Sequence, residues 1–428
     1  MIQTIHKANK FIGRIRVPGD KSISHRALMM GALAEGDTPI ANLSYGQDVL
    51  STRHCLEALG VEITGTSVGL VVHGAGMNGL KQAESRLECG NSGTTIRLLS
   101  GILAAQPFES WLNGDASLNS RPMRRIIDPL SMMQARIMSQ PEGTAPLRIQ
   151  GCTLSPIQYE SPVASAQVKS CILLAGLFAN GITSVIEPKL SRDHTERMLP
   201  CFGVPVNRDG LTVSVKGPAR LVGCPVRVPG DISSAAFFLV AGSLIPNSEI
   251  QVENVGLNPT RAGIMDVLAR MGAHIDIQNY HERNGEPSAD LVIQTSSLTG
   301  TVIEKEEIPR LIDELPILAI AATQAEGKTV VRDARELRVK ESDRITVIEK
   351  GLKRMGVHIT TYEDGFEIQG PQSLHGAKIE THHDHRIAMA FAVAGLLASG
   401  TTEIMDAENA ETSYPGFFQV IKELSHVS

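Results

Sequence analysis

Lys21, Ser22 and Arg26 follow Gly19-Asp20 at a spacing that lines an ammonium, a hydroxyl and a guanidinium along one face of a helix start. Asp20 or Ser22 suits the N-cap, and the open N–H groups of a helix N-terminus attract anions. The chemistry implied is anion binding. A kinase-type phosphate loop needs Gly-x-x-x-x-Gly-Lys-Ser/Thr, which is missing here, and Asp20 would oppose a triphosphate.

Further clusters repeat the theme. Cys89-Gly90-Asn91-Ser92-Gly93-Thr94-Thr95 is a second cradle, because glycines let backbone N–H groups approach a ligand, and Arg97 follows it. Asn119-Ser120-Arg121-Pro122-Met123-Arg124-Arg125 sets three arginines around a proline suited to the first helical position. Ser165-Ala166-Gln167-Val168-Lys169-Ser170 adds hydroxyls, an amide and an ammonium ahead of an apolar helix, and Arg192 lies in Ser191-Arg192-Asp193-His194.

The second half carries the acids. Ile312-Asp313-Glu314-Leu315-Pro316 precedes a very apolar run, where an acid can also serve as a plain N-cap. Arg338-Val339-Lys340-Glu341-Ser342-Asp343-Arg344 alternates sign, which also suits a solvated, salt-bridged helix start. Asp384-His385-Arg386 opens another apolar helix. His382, His383 and His385 are too crowded for the i, i+4 face of a helical zinc site, so no metal and no other cofactor is expected. Together the clusters offer arginines and lysines beside Gly, Ser or Pro turns, plus two carboxylates. That set suits two multiply charged anions and a proton transfer.

The elements that position these groups repeat. Val17-Pro18-Gly19-Asp20 recurs as Val228-Pro229-Gly230-Asp231, about half the chain later, followed there by Ile232-Ser233-Ser234 without cations. A duplicated scaffold charged in one copy implies two domains and one anion site drawn from both halves. Ala/Leu-rich helices, a breaker and a Thr/Val/Ile strand recur with breakers near 36, 106, 181, 246, 327 and 400. A second pattern, Leu59-Gly60, Phe202-Gly203, Met271-Gly272 and Met355-Gly356, ends a helix and feeds an alternating strand. Six α/β units of about 70 residues follow, three to a domain. Residues 280–290 read as the most loop-like stretch.

The bulk numbers narrow the class. At 428 residues the chain exceeds one ordinary core. A net charge of −6 leaves no basic excess for nucleic acid. Six scattered cysteines without a Cys-x-x-Cys pair fit reduced thiols in the cytoplasm. The first 13 residues lack a signal-type apolar stretch, and the apolar run at 387–397 is too short for a bilayer. A cytoplasmic protein is expected, without membrane or nucleic-acid partners.

Gly19-Asp20-Lys21-Ser22 with Arg26, Gly90-Asn91-Ser92-Gly93-Thr94, Arg121-Pro122, the 338–344 run and Asp384-His385-Arg386 resemble, in order, the signatures of the enolpyruvyl transferases. Within them the chain looks like the branch acting on shikimate 3-phosphate and phosphoenolpyruvate. The resemblance covers nearly the whole chain. It implies two similar α/β domains, each of three βαβαββ repeats in an inside-out barrel, joined by two hinge crossovers. Residues 1–18 plus 231–428 would form one domain and 19–230 the other, in a monomer.

By the same resemblance, Asp313 is the base, and Lys21 and Glu341 handle the proton of the methylene. Arg344 and Arg386 clamp the phosphoenolpyruvate carboxylate, and Lys21, Gly93, Arg121 and Gln167 hold its phosphate, with Asn91 and Thr94 in the same cradle. Ser22 and Arg26 meet the shikimate carboxylate. Ser165, Ala166, Arg192 and Lys340 surround the 3-phosphate. Three positions depart from the family pattern: Ala166 replaces a second serine, Thr412 a lysine, and Glu336 an asparagine. The sister enzymes acting on UDP-N-acetylglucosamine carry a cysteine in the loop matching 113–121, and this chain has none there. A nucleotide kinase and a non-catalytic anion binder are the readings from other classes.

Overall fold

The computed structural model describes residues 1–425. Its internal contacts divide the chain into two units. One comprises Met1–Pro18, Pro229–Glu282 and the chain from Pro287 onward, and the other comprises Gly19–Val228 and Arg283–Glu286. The main crossings fall within the two Val-Pro-Gly-Asp elements.

The Gly19–Val228 unit contains three helices buried on nearly every face: Lys21–Leu33, Gly93–Leu103 and Ala166–Gly176. Each delivers the chain into the middle of its own sheet, at strands Ala34–Ala41, Glu109–Asn113 and Gly181–Ile186. In every one of these sheets the strand so reached has a parallel neighbour on one side and an antiparallel one on the other. A further antiparallel strand completes the sheet.

Small residues allow these helices to be buried. A Cβ added to Gly101 would stand 2.3 Å from the carbonyl oxygen of Cys171, so the Gly93 and Ala166 helices touch backbone to backbone.

The other unit follows the same plan. Helices Ile232–Leu244, Leu315–Gln324 and His385–Leu397 are buried and feed strands Glu249–Gly256, Gly327–Val331 and Thr401–Ile404. Chain from the N-terminus completes two of the three sheets. Strand Ile12–Arg16 lies parallel to Glu249–Gly256, and Gln3–His6 lies antiparallel to Thr401–Ile404. Six aromatic side chains cluster in and against this unit's core, with Phe417 in edge contact with Phe237, Phe238, Tyr414 and Phe418 and Phe11 stacked on Phe238.

The helix-ending glycines Gly60, Gly203, Gly272 and Gly356 adopt φ between 82° and 90°, the left-handed conformation glycine takes without steric cost. A further turn of this kind has no glycine: Gln134, at φ 72°, ends helix Arg124–Met132.

Two sequence expectations are corrected. Pro122 lies ahead of the Arg124 helix, whose N-cap position is Met123, so it does not occupy the first helical turn. Residues 280–290 are a β-hairpin, not a loop. Strands His274–Arg283 and Glu286–Gln294 meet at Asn284-Gly285, both with positive φ, as a two-residue hairpin turn requires. The first strand is polar because it is largely exposed. Among the described residues no helix is long and apolar enough to cross a membrane.

Candidate active site

The N-terminal ends of the six buried helices carry many of the predicted residues, while Arg121, Arg192, Lys340, Glu341 and Arg344 lie on other segments. Five of those ends are capped by a side chain that accepts a backbone N–H: Asp20, Ser92, Ser165, Asp231 and Asp384. The sixth follows Asp313-Glu314 and has Pro316 in its first turn. Each cap fixes a helix whose remaining N–H groups and dipole favour anions.

In the Gly19–Val228 unit, the Lys21 ammonium donates to Asp48 Oδ2 at 2.8 Å. Asp48 sits in the first turn of helix Gln47–Ala58. Arg26 is buried rather than solvated. Its Nε donates to Thr195 Oγ1 at 2.7 Å, and its other nitrogens to the Ser22 carbonyl at 2.9 Å and Ser170 Oγ at 2.6 Å. Burial pulls its pKa down to about 10, so it remains a cation at neutral pH. Arg192 is half-buried, and its charge is felt at Arg26.

A second group forms around Gly93. A Cβ there would stand 2.9 Å from an Arg97 nitrogen and 3.6 Å from one of Arg121, so the two guanidinium groups flank this helix start. Arg121 donates to Asn91 Oδ1 and, at 3.2 Å, to Ser117 Oγ. Asn91 donates to Asp115 Oδ2 at 2.7 Å. Gln167 accepts from Arg97 at 2.5 Å and donates to Thr94 Oγ1 at 3.0 Å, which joins the Gly93 and Ala166 helix starts. Ser165 caps the second of these by accepting from Val168 N, and Ala166 follows it half-buried.

The loop bearing Arg192 is pinned from behind. Lys169, 1% exposed, pairs with Glu187 at 2.6 Å and Glu196 at 2.8 Å, and Ser191 donates to Glu187.

The other unit gathers the acids. Arg344, fully buried, donates from Nε to Asp384 Oδ2 at 2.8 Å and from another nitrogen to Glu341 Oε2 at 2.7 Å, with Asp313 Oδ1 at 3.4 Å. Burial works against its charge, but Asp384, Glu341 and Asp313 outweigh that and raise its pKa further, which makes it a permanent cation. Burial likewise pushes the Asp384 carboxyl up, yet Arg344 prevails and holds it below the usual aspartate range. Asp313 Oδ2 lies 3.7 Å from Arg261 and 3.9 Å from Arg386, so three guanidinium groups surround this carboxylate.

Glu314 is 1% exposed. It accepts from Ser233 Oγ, and its pKa is pushed up by burial against the pull of Arg261 and Arg386. Lys340 stands apart, 4.0 Å from Glu336. Among the described residues no group of three or more His, Cys, Asp or Glu side chains is placed to hold a metal ion.

Asp48, Arg261 and Glu314 act in this arrangement without having been assigned a role from sequence. Glu314 and Asp384 lay inside quoted motifs. Asp48 and Arg261 lie in unremarkable stretches, and only long-range folding within its own unit brings each to its partners.

The chain matches a family model described as EPSP synthase (3-phosphoshikimate 1-carboxyvinyltransferase) over residues 5–421. It is 52% identical over 425 residues to a 3-phosphoshikimate 1-carboxyvinyltransferase of Bacillus cereus (strain ZK / E33L), covering 99% of both chains. A Geobacillus kaustophilus protein of the same name is 55% identical over 415 residues, 96% of this chain and 97% of its own. Among solved structures, EPSP synthase from Acinetobacter baumannii superposes with a TM-score of 0.90 at 47% identity, covering 99% of this chain and 98% of that one. The enolpyruvyl transferase NikO from Streptomyces tendae shares the fold, with a TM-score of 0.80 at 17% identity over 99% of this chain and 97% of that one.

Proposed function

The chain belongs to the EPSP synthase (3-phosphoshikimate 1-carboxyvinyltransferase) family, and from that premise we propose how its own residues divide the chemistry. The reaction transfers the enolpyruvyl group of phosphoenolpyruvate to shikimate 3-phosphate, in the pathway to the aromatic amino acids.

Addition–elimination fits the groups available. The 5-hydroxyl of shikimate 3-phosphate adds to the enol carbon while the methylene gains a proton, and the tetrahedral intermediate then gives up a proton of the new methyl group and expels phosphate, which restores the double bond. Asp313 takes the hydroxyl proton, and Lys21 and Glu341 serve the methylene. Arg344 and Arg386 clamp the phosphoenolpyruvate carboxylate by paired N–H donors. Lys21, Asn91, Gly93, Thr94, Arg121 and Gln167 form the cradle for its phosphate. Ser22 and Arg26 meet the shikimate carboxylate, and Ser165, Ala166, Arg192 and Lys340 the 3-phosphate. No step calls for a metal or a nucleotide.

The observation that carries this reading is Arg344. One buried cation touches Glu341 at 2.7 Å and Asp313 at 3.4 Å, so a single group brings both proposed acid–base carboxylates together. The finer architecture belongs to the same proposal: domains 1–18 plus 231–428 and 19–230, each of three βαβαββ repeats as an inside-out barrel. Three sheets and three buried helices in each unit support it. A cytoplasmic monomer is proposed.

Phosphate release from phosphoenolpyruvate, with and without shikimate 3-phosphate, tests the function in EDTA and without nucleotide. Release that needs both substrates is the expected result. Release that needs ATP and magnesium would instead support a kinase.

A further inference from the structure

Arg261 is absent from the substrate contacts proposed above, yet it is buried and held by several partners. It sits in the turn before helix Gly263–Arg270, where its backbone N–H donates to the Asn258 carbonyl at 2.8 Å. The same turn is closed by Asn258 Oδ1, which accepts from the backbone and the hydroxyl of Thr260 at 2.9 and 2.7 Å, and Arg310 Nε donates to the Pro259 carbonyl at 2.7 Å. The side chain is 4% exposed. One terminal nitrogen donates to Asp231 Oδ1 and to Ser233 Oγ, both at 2.8 Å, and the other lies 3.7 Å from Asp313 Oδ2. Ser233 in turn donates to Glu314. Arg261 thus ties the capped start of the Ile232–Leu244 helix to the two acids that precede the Leu315–Gln324 helix.

We infer that Arg261 is the positioning residue for Asp313, holding its carboxylate in place as substrate binds; this rests on Asp313 being the base. The charge distribution makes the role specific. Asp313 has three cationic neighbours, Arg261, Arg344 and Arg386. In the proposed complex Arg344 and Arg386 turn their donors to the phosphoenolpyruvate carboxylate, and their pull on Asp313 is shared with a second anion. Arg261 has no such duty. Its guanidinium is held by Asp231 and Ser233 through one terminal nitrogen and presents the other to Asp313. It supplies both the fixed counter-charge and the fixed direction from which the carboxylate meets the hydroxyl. A carboxylate displaced by about an ångström from a productive geometry loses on the order of a hundredfold in rate.

The test is a kinetic double-mutant cycle of Arg261→Gln and Asp313→Asn, with Arg261→Lys as the conservative variant. Arg261→Gln should lower kcat by roughly ten- to a hundredfold while KM for both substrates moves less than about threefold, and lysine should recover part of the loss. Because Arg261 acts through Asp313, adding Arg261→Gln to Asp313→Asn should cost nothing further. Full additivity in the cycle, or an unchanged kcat in folded Arg261→Gln, overturns the inference. Asp313→Asn with undiminished kcat overturns the reading of Asp313 as base instead, and so tells the two failures apart. If the glutamine variant does not fold, the same cycle with Arg261→Lys decides: its loss must disappear in the Asp313→Asn background, and additivity refutes the role.

Discussion

Arg344 and Asp384 form an ion pair with side chains 1% and 0% exposed, Nε to Oδ2 at 2.8 Å. The same aspartate caps helix His385–Leu397, accepting the Arg386 N–H at 2.9 Å. One carboxylate therefore sets the direction of one proposed substrate clamp, Arg344, and the backbone position of the other, Arg386.

Removing Asp384 leaves Arg344 buried beside fewer acids and strips a helix cap. Asp384→Ala is expected to cost about 3–5 kcal/mol in urea unfolding, the range for breaking a buried pair. Asp384→Asn keeps a capping oxygen and should cost less. Both should raise KM for phosphoenolpyruvate more than KM for shikimate 3-phosphate. An equal rise in the two would dissociate the pair from the clamp.

Acid sensitivity follows from His25. The ring is fully buried, bonded through Nδ1 to Thr52 Oγ1 at 2.6 Å, and burial lowers its pKa to about 3. The unfolded ring titrates near ~6.5. Between those values the unfolded chain binds more protons, so stability falls as pH falls from about 6.5 toward about 3, by at most ~1.4 kcal/mol per unit. Asp384 acts in the same direction at lower pH. Its depressed pKa adds stability above the usual aspartate range, which is lost as pH falls through the folded value. Unfolding free energies between pH 4 and 7 should slope less steeply in His25→Asn than in the parent. Matching slopes would show that the folded ring takes up its proton normally.

Ala166 offers a gain of binding. It follows the Ser165 cap at the first position of its helix, where a hydroxyl would join the donors proposed for the 3-phosphate. Ala166→Ser should lower KM for shikimate 3-phosphate by roughly two- to tenfold, the worth of one net hydrogen bond. KM for phosphoenolpyruvate is the internal control and should hold still.

Packing around Gly101 predicts a loss. A methyl there would press on the Cys171 backbone 2.3 Å away and force the Gly93 and Ala166 helices apart. Gly101→Ala should destabilise by about 1–3 kcal/mol. It should also weaken phosphoenolpyruvate binding, because Gln167 bridges those same two helices to Thr94 and Arg97. Gly65→Ala meets nothing within 4 Å and should unfold like the parent.

The parts of this site readable from sequence are those built locally. Asp20-Lys21-Ser22 or Ser92-Gly93-Thr94 announces a capped helix start within a few residues, because cap, donor and charge must all sit inside one turn. Asp48 and Arg261 are not legible in the sequence for the opposite reason. Each reaches its partner across tens of residues, Lys21 to Asp48 and Arg261 to Asp231 and Asp313, and nothing in the nearby composition marks such an encounter. The helix ending at Gln134 was hidden because a side chain other than glycine took the left-handed position. The 274–294 hairpin was hidden because an exposed strand is polar and its Asn-Gly turn looks like loop.

Strand Ile12–Arg16 pairs with Glu249–Gly256, and Gln3–His6 pairs with Thr401–Ile404. During synthesis these first strands emerge from the ribosome long before their partners exist. At roughly 5–20 residues per second, the intervening Gly19–Val228 stretch takes on the order of ten to forty seconds to appear. It can assemble most of its own core in that time, while the N-terminal segment waits unpaired with its backbone donors and acceptors exposed. Its spacing of charges, Lys7, Lys10, Arg14 and Arg16, suits that interval, since like charges discourage pairing with another nascent chain. Both strands are thus made well before they can be seated, and the sheet that Gln3–His6 completes closes only when residue 404 has left the exit tunnel.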